Sequence, residues 1–457
     1  MSTGNTVPPS PCAEKGIYRA GTLTYTKYTL ATLFIWMLWG DFCFVLMEAL
    51  IPQLLPLSLK NLNASNALIG LFVGSLSAAI NMIICPIVSF RSDRTRSRFG
   101  RRIPYLFFAT PFVAFFLILV GWSPQLGSML NRFFPCGLSP VATALVLVAV
   151  FCVCFQFFNM FVASVFYYLF TDVVPEQFMG RFMALFRVVG AAAGFCFTRY
   201  ILGLADNYMP WIYTGIAILY FVSFMLMCWR VKEGEYPPPT DTEERKNFFC
   251  SFKLYFKECF SNPYYCWFFL GTALNAVSVV CRTMFNIFFA KENLGMSLAE
   301  YGKIASWGML LGMVLYLPLG YLVDKLHPLR VYISGIILVV LTNIFGFILI
   351  DSYSTFFVFT MLFAIVYAIQ SASNLPMYAC LLPKERWGQF CSAQAMLQAV
   401  MLIAANYGGG LFMDIVGDYR FIYAWDAVFT AVALFAMIMV YRGWQRYGGR
   451  KNYVAPL

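Results

Sequence analysis

The chain is 457 residues long, 61% hydrophobic and only 12% charged, with a formal net charge of +11. Soluble domains carry about 25% charged residues, so this composition excludes a water-soluble fold. Apolar runs of about twenty residues recur along the length, each able to cross a hydrocarbon core about 30 Å thick; with mean hydropathy +0.71, the chain reads as a polytopic membrane protein.

Residues 1–27 are polar and lack an apolar stretch ahead of a small-residue cleavage site, so they are expected to form a cytoplasmic N-terminal tail and no signal peptide. Twelve spans follow, at 28–51, 66–90, 103–122, 141–170, 183–204, 210–229, 264–290, 299–322, 330–350, 355–380, 391–413 and 420–441. An even number puts both termini on one face. After the second span comes a hydrophilic stretch in which six arginines fall between Arg91 and Arg102 around one carboxylate, Asp93. A charge costs roughly 2.5–3.5 kcal/mol at the centre of a membrane helix, so this is a loop, and its arginine excess places it in the cytoplasm. Most of the 32 Lys and Arg fall in segments on that same side. Both termini are therefore expected in the cytoplasm, and the positive charge faces anionic lipid head groups, with no nucleic-acid partner. The expected location is the plasma membrane, the inner membrane in a bacterium.

The fourteen cysteines sit mostly in apolar spans, where they act as small hydrophobes. Among the predicted outer loops only Cys136 offers a thiol, so no disulfide framework is expected. Neither a metal site nor a cofactor is expected. The sequon Asn63-Ala64-Ser65 lies on a predicted outer loop.

A hydrophilic linker, 231–263, separates six spans (28–230) from six more (264–441), with a cytoplasmic tail at 442–457. Within it, Phe248 to Phe260 has the pattern of an amphipathic helix lying on the inner leaflet. The halves repeat each other. The second span ends in Asp93-Arg94 in the first half and in Gly320-Tyr-Leu-Val-Asp324-Lys325 in the second. After the fourth span, Asp172-Val-Val-Pro175 leads to Gly180-Arg181, and Pro383-Lys384-Glu385-Arg386 leads to Gly388. In both copies the glycine follows the proline by five residues and opens the next span. Two motifs repeating at matching places argue for duplication. The expected fold is all-α, with twelve transmembrane helices in two pseudo-symmetric six-helix bundles.

These residues resemble the major facilitator superfamily. That family's loop between spans two and three reads Gly-x-x-x-Asp-Arg-x-Gly-Arg-Arg; here it is Ser89-x-x-x-Asp93-Arg94, an insert, then Gly100-Arg101-Arg102. The insert is similar to the plant sucrose carriers, their animal proton–sugar relatives and the wider glycoside–pentoside–hexuronide cation symporters. Gly40-Asp41-Phe42-Cys43-Phe44, followed by Glu48, resembles the first span of the animal relatives. The resemblance implies a secondary transporter working by alternating access: cation-coupled symport of a sugar or glycoside, with a proton or sodium ion as the coupling ion, by a monomer. The coupling sites of the relatives do not transfer intact. The span-four acid of plant sucrose carriers falls at Gln156, and the span-two carboxylates of melibiose-type carriers have only Asn81 as a counterpart. Carriage of a lysolipid, nucleoside or drug, or a sensor on the same fold, stays open.

Charged residues inside spans mark a binding site, a relay or a cavity wall. Four are recognised: Asp41, Glu48, Arg187 and Arg282. Asp41 and Glu48 are two helical turns apart on one face of span one, a candidate cation path. Arg187 and Arg282 are candidate charge partners or substrate ligands. In the superfamily fold spans one and seven meet on the outer side, which implies a Glu48–Arg282 pair closing the outer gate. The polar residues Gln156, Asn159, Asn286, Gln370, Asn374, Tyr378, Gln394 and Gln398 both donate and accept, as sugar hydroxyls require, and Trp36 and Trp39 offer faces for a sugar ring. The cytoplasmic motifs form a separate group: Asp93, Arg94, Gly100, Arg101, Arg102, Asp172, Gly180, Arg181, Gly320, Asp324 and Lys325 are expected to gate the inner face. No nucleophile elbow, His/Glu metal pair or Walker loop occurs, and the one histidine, His327, lies in a repeat motif; the chain is not expected to be an enzyme.

Overall fold

The computed structural model describes residues 17–133, 139–234 and 258–456. Caps and prolines open the long helices. Thr26 and Thr29 form a reciprocal capping box at the start of α1 (Lys27–Asn61). Ser65 caps α2 (Asn66–Arg94). Next come α3 (Ile103–Phe133) and α4 (Pro140–Val173), the latter with Ser139 as cap and proline at its first position. Pro175 precedes α5 (Glu176–Cys196), which runs on through a widened π-helical turn (Phe197–Ile201) and a tighter 3₁₀ turn (Leu202–Leu204) into α6 (Ala205–Arg230). In the second half Asn262 caps α7 (Pro263–Asn293) and a Ser297–Glu300 box opens α8 (Leu298–Leu326). The rest are α9 (Pro328–Leu349), α10 (Tyr353–Leu381), α11 (Trp387–Val416) and α12 (Phe421–Arg446).

Among the described residues, ten helical stretches are long and apolar enough to cross a membrane, and α8, bent by 49° at Pro318, makes an eleventh. One of the ten, Glu176–Arg230, has 55 residues, about 80 Å if straight, far beyond a 30 Å core. It is interrupted by the irregular turns at 197–204 and again by Tyr208, which is not helical, and the two parts, α5 and α6, each pack on α1. It therefore holds two spans, and the total is twelve.

The packing is two-fold. α1 packs on α5 and α6, α3 on α4 and α6, and α2 on α4. Six helices later, α7 packs on α11 and α12, α9 on α10 and α12, and α8 on α10. The bundles meet where α2 crosses α11, where residues 197–204 cross α8, and where α1 reaches α7. These contacts gather at the face opposite the Arg91–Arg102 loop, and a single apolar core runs through them from one bundle to the other.

Three differences from the sequence reading stand out. The helices outrun the apolar spans: α1 extends to Asn61 and α3 to Phe133, because hydropathy marks only the lipid-embedded stretch. α5 starts at Glu176, so Gly180 lies within it and does not open it. The N-terminal tail contains an antiparallel hairpin, β1 (Ile17–Ala20) with β2 (Leu23–Thr26). Tyr18 of the hairpin packs edge-on against Phe178 at 4.9 Å, which ties the tail to the start of α5. Cys136 and most of the expected linker helix lie outside the described residues.

Candidate substrate and cation site

Between the bundles lies a cavity of about 1440 Å³. Its two walls differ in chemistry. The first half contributes Asp41, Val45, Tyr167 and the α5 residues Ala184, Phe186, Arg187, Val188, Gly190 and Ala191. The second half contributes a sheet of neutral donors and acceptors: Thr272, Asn275, Tyr316, Gln370, Ser371, Asn374, Tyr378 and Gln398. These are wired together. Gln370 Nε2 donates to Asn275 Oδ1 at 3.0 Å, and the Tyr316 hydroxyl donates to Ser371 Oγ at 2.9 Å. Gln394 stands just behind, donating to Gln398 Oε1 at 2.6 Å and to Thr272 Oγ1 at 3.4 Å. Charge is thus held on one wall and hydrogen-bonding capacity on the other.

Asp41 is 0% exposed, and among the described residues neither carboxylate oxygen has a hydrogen-bond partner. A buried carboxylate in that condition is costly unless it holds a proton or a cation. Glu48 and Arg187 lie within electrostatic reach of it, and Gly190 of α5 passes beside it without filling the space. Glu48 itself accepts from Asn159 Nδ2 at 3.4 Å. Asn159 and Gln156 are buried within the first half beside α1 and do not line the cavity.

The expected Glu48–Arg282 pair is not formed. Arg282 Nε lies 3.2 Å from Asp426 Oδ2 on α12, which also accepts from the Tyr367 hydroxyl at 2.6 Å, while Thr430 donates to Oδ1 at 3.0 Å. The guanidinium lies over the rings of Phe363 and Tyr367, at 4.5 and 4.2 Å from their centroids. Asp426 is an intramembrane charge that the sequence reading missed. It sits five residues into α12, and the reasoning that singled out Arg282 applies to it equally. Arg282 and Asn286 line a smaller side pocket of about 300 Å³ adjoining the main cavity.

Trp36 and Trp39 do not face the cavity. At 100° per residue they are turned roughly 140° and 200° from Asp41 on α1. Trp39 is 43% exposed and donates to Ser223 Oγ at 3.1 Å; Trp36 packs on the first-half core. The aromatic residues on the cavity are Tyr167, Phe186, Tyr316, Tyr332, Tyr367 and Tyr378.

At the arginine-loop face the expected gate residues divide by half. Arg101 and Arg102 both reach Asp172, at 2.9 and 3.2 Å from their Nε atoms, and Arg102 also holds Asp93 and Ser92. Glu233, beyond α6, accepts from the N–H groups of Arg101, Arg102 and Ile103 and so caps α3. Gly100 (φ +104°) makes the turn into this cap. Arg181 lies over Phe178. In the second half, Asp324 and Lys325 are exposed, and Arg450 Nη2 donates to the Lys325 carbonyl at 2.9 Å. These first-half pairs stay within the first half, consistent with bundles that join at the opposite face.

This arrangement of two mirrored bundles around one central cavity defines a membrane transporter. The family model described as MFS/sugar transport protein matches residues 40–411, and the chain belongs to that family. No curated protein matches it. Its fold is similar to several solved transporters. A bacterial homologue of the human lysosomal transporter Spinster, inward-facing and unoccupied, has a TM-score of 0.62 at 13% identity, over 91% of this chain and 99% of that one. The nucleoside transporter NupG gives 0.64 at 11%, over 90% and 99%. A bacterial homologue of the iron transporter ferroportin gives 0.64 in its inward-facing state at 13%, over 90% and 99%.

Proposed function

We propose that the chain is a cation-coupled symporter that carries a sugar or glycoside by alternating access, with the Arg91–Arg102 loop and both termini in the cytoplasm of the cell membrane. In that orientation the structure corresponds to the state closed to the outside. The observation that carries the reading is the contrast between the walls: a buried carboxylate at Asp41, unpartnered among the described residues, faces a wall on which amides and hydroxyls from α7, α8, α10 and α11 are set among apolar side chains. Coupling follows from this geometry. A proton or sodium ion neutralises Asp41, which removes the obstacle to closing the first-half wall over the cavity. The solute's hydroxyls satisfy the second-half wall, and both leave when the opposite face opens. Arg187, exposed on the same wall as Asp41, is the group that competes with the cation for its carboxylate.

The test is uptake by proteoliposomes of a labelled panel of mono- and disaccharides, glycosides and nucleosides, with imposed proton or sodium gradients. Accumulation of a sugar or glycoside under one gradient supports the reading. Accumulation of a nucleoside alone, or movement of sugar indifferent to both gradients, overturns it.

A further inference from the structure

One of the contacts that close the face opposite the arginine loop is made by a residue outside the cavity. Asp414, near the end of α11, reaches from the second half to the start of α2 in the first. Its Oδ1 accepts from the Asn66 N–H and its Oδ2 from the Ala67 N–H, each at 2.8 Å. The first N–H groups of a helix have no acceptor within it. Ser65 Oγ takes that of Leu68 at 3.3 Å, and α2 has no acid in its first turn. The cap of α2 is therefore completed by the other bundle.

Two further layers surround this bond. The Tyr419 hydroxyl donates to Asn66 Oδ1 at 2.8 Å and accepts from Lys60 Nζ of α1 at 2.6 Å. Beneath it, α2 and α11 touch backbone to backbone. A Cβ on Gly70 would stand 2.0 Å from the Asn406 carbonyl oxygen, and one on Gly410 would stand 2.1 Å from that of Asn66. The pseudo-symmetric crossing is built differently: α8 starts on its own Ser297–Glu300 box, with Glu300 Oε2 accepting from the Ser297 N–H at 2.9 Å. Among the described residues α2 borrows its cap, whereas α8 supplies its own.

We propose that Asp414 is the positioning residue that sets the balance between the two states of the carrier, its carboxylate latching one face shut by capping α2 across the bundle boundary. The bond suits a reversible latch. A carboxylate on helix N–H groups is favoured by charge and by the helix dipole, yet on opening both sides exchange it for water. The inference rests on the two-bundle carrier reading but on neither the sugar nor the ion.

The experiment is hydrogen exchange with mass-spectrometric readout on the full-length protein in detergent, without substrate, for wild type, Asp414→Asn and Gly410→Ala. Asp414→Asn is expected to speed exchange about tenfold in residues 66–75 and 402–410, the loss expected for one charge-assisted bond. It is also expected to slow exchange in residues 184–191 and 309–316, which become covered as the arginine-loop face closes. Gly410→Ala, which wedges the same crossing apart, should give the same reciprocal pattern. Faster exchange confined to Asn66 and Ala67, with the distant segments unchanged, would mean a local cap only and overturn the proposal. So would the reciprocal pattern in Gly410→Ala but not in Asp414→Asn. Because no substrate is present, a failed sugar panel leaves this result standing, and a failed latch leaves the sugar panel standing.

Discussion

Arg282 of α7 and Asp426 of α12 form an ion pair inside the second bundle. A guanidinium within a membrane helix needs a counter-charge, and the structure supplies one at 3.2 Å. Removing one member of a buried pair leaves the other uncompensated, at a cost of about 3–5 kcal/mol. Arg282→Ala and Asp426→Ala are each expected to lower the thermal midpoint in detergent markedly, whereas Arg282→Met combined with Asp426→Leu should recover most of it. If the double variant melts no higher than the single ones, the pair is not what holds α7 to α12. Depth along a span suggested Glu48 as the partner of Arg282. Depth says nothing about which helix stands beside which, and it is the azimuth around α7 that turns Arg282 toward α12. The same limit misplaced Trp36 and Trp39, while Asp41, Arg187, Gln370, Asn374, Tyr378 and Gln398 line the cavity.

At the scale of elements, local caps can be read from the chain and distant ones cannot. Thr26, Ser65, Ser139, Ser297 and Ser352 each stand just ahead of the helix they start. Glu233 caps α3 from about 130 residues further along the chain, and nothing around it signals that role. Glu233→Ala leaves three N–H groups without their acceptor and should loosen the arginine loop; exchange at Arg101 to Ile103 is expected to rise at least tenfold. Unchanged protection there would show that Asp172, not Glu233, fixes the turn. The crossing between residues 197–204 and α8 makes a second prediction. A Cβ on Gly302 would meet the Thr198 carbonyl oxygen at 2.3 Å, so Gly302→Ala should hold this face open. Chemical labelling of a cysteine introduced at Gln53 (which reaches Thr198 at 3.5 Å) should then be faster than in the parent; equal rates would mean that the helices simply shift.

For the whole molecule, duplication was visible because each motif recurs six spans later, and the packing of helices repeats in the same way. Which face is closed left no such mark. Closure depends on glycines and on Asp414, ordinary residues in a span until a second helix is laid against them. The central claim is that Asp41 couples solute movement to a cation. Its most direct test is to compare two modes of transport in proteoliposomes bearing Asp41→Asn, using a solute that the wild type accumulates. An amide at this position stands in for the neutralised carboxylate. Exchange of labelled for unlabelled solute should therefore continue, while accumulation under an imposed gradient falls to the level seen with none. Accumulation by Asp41→Asn equal to wild type would contradict the account.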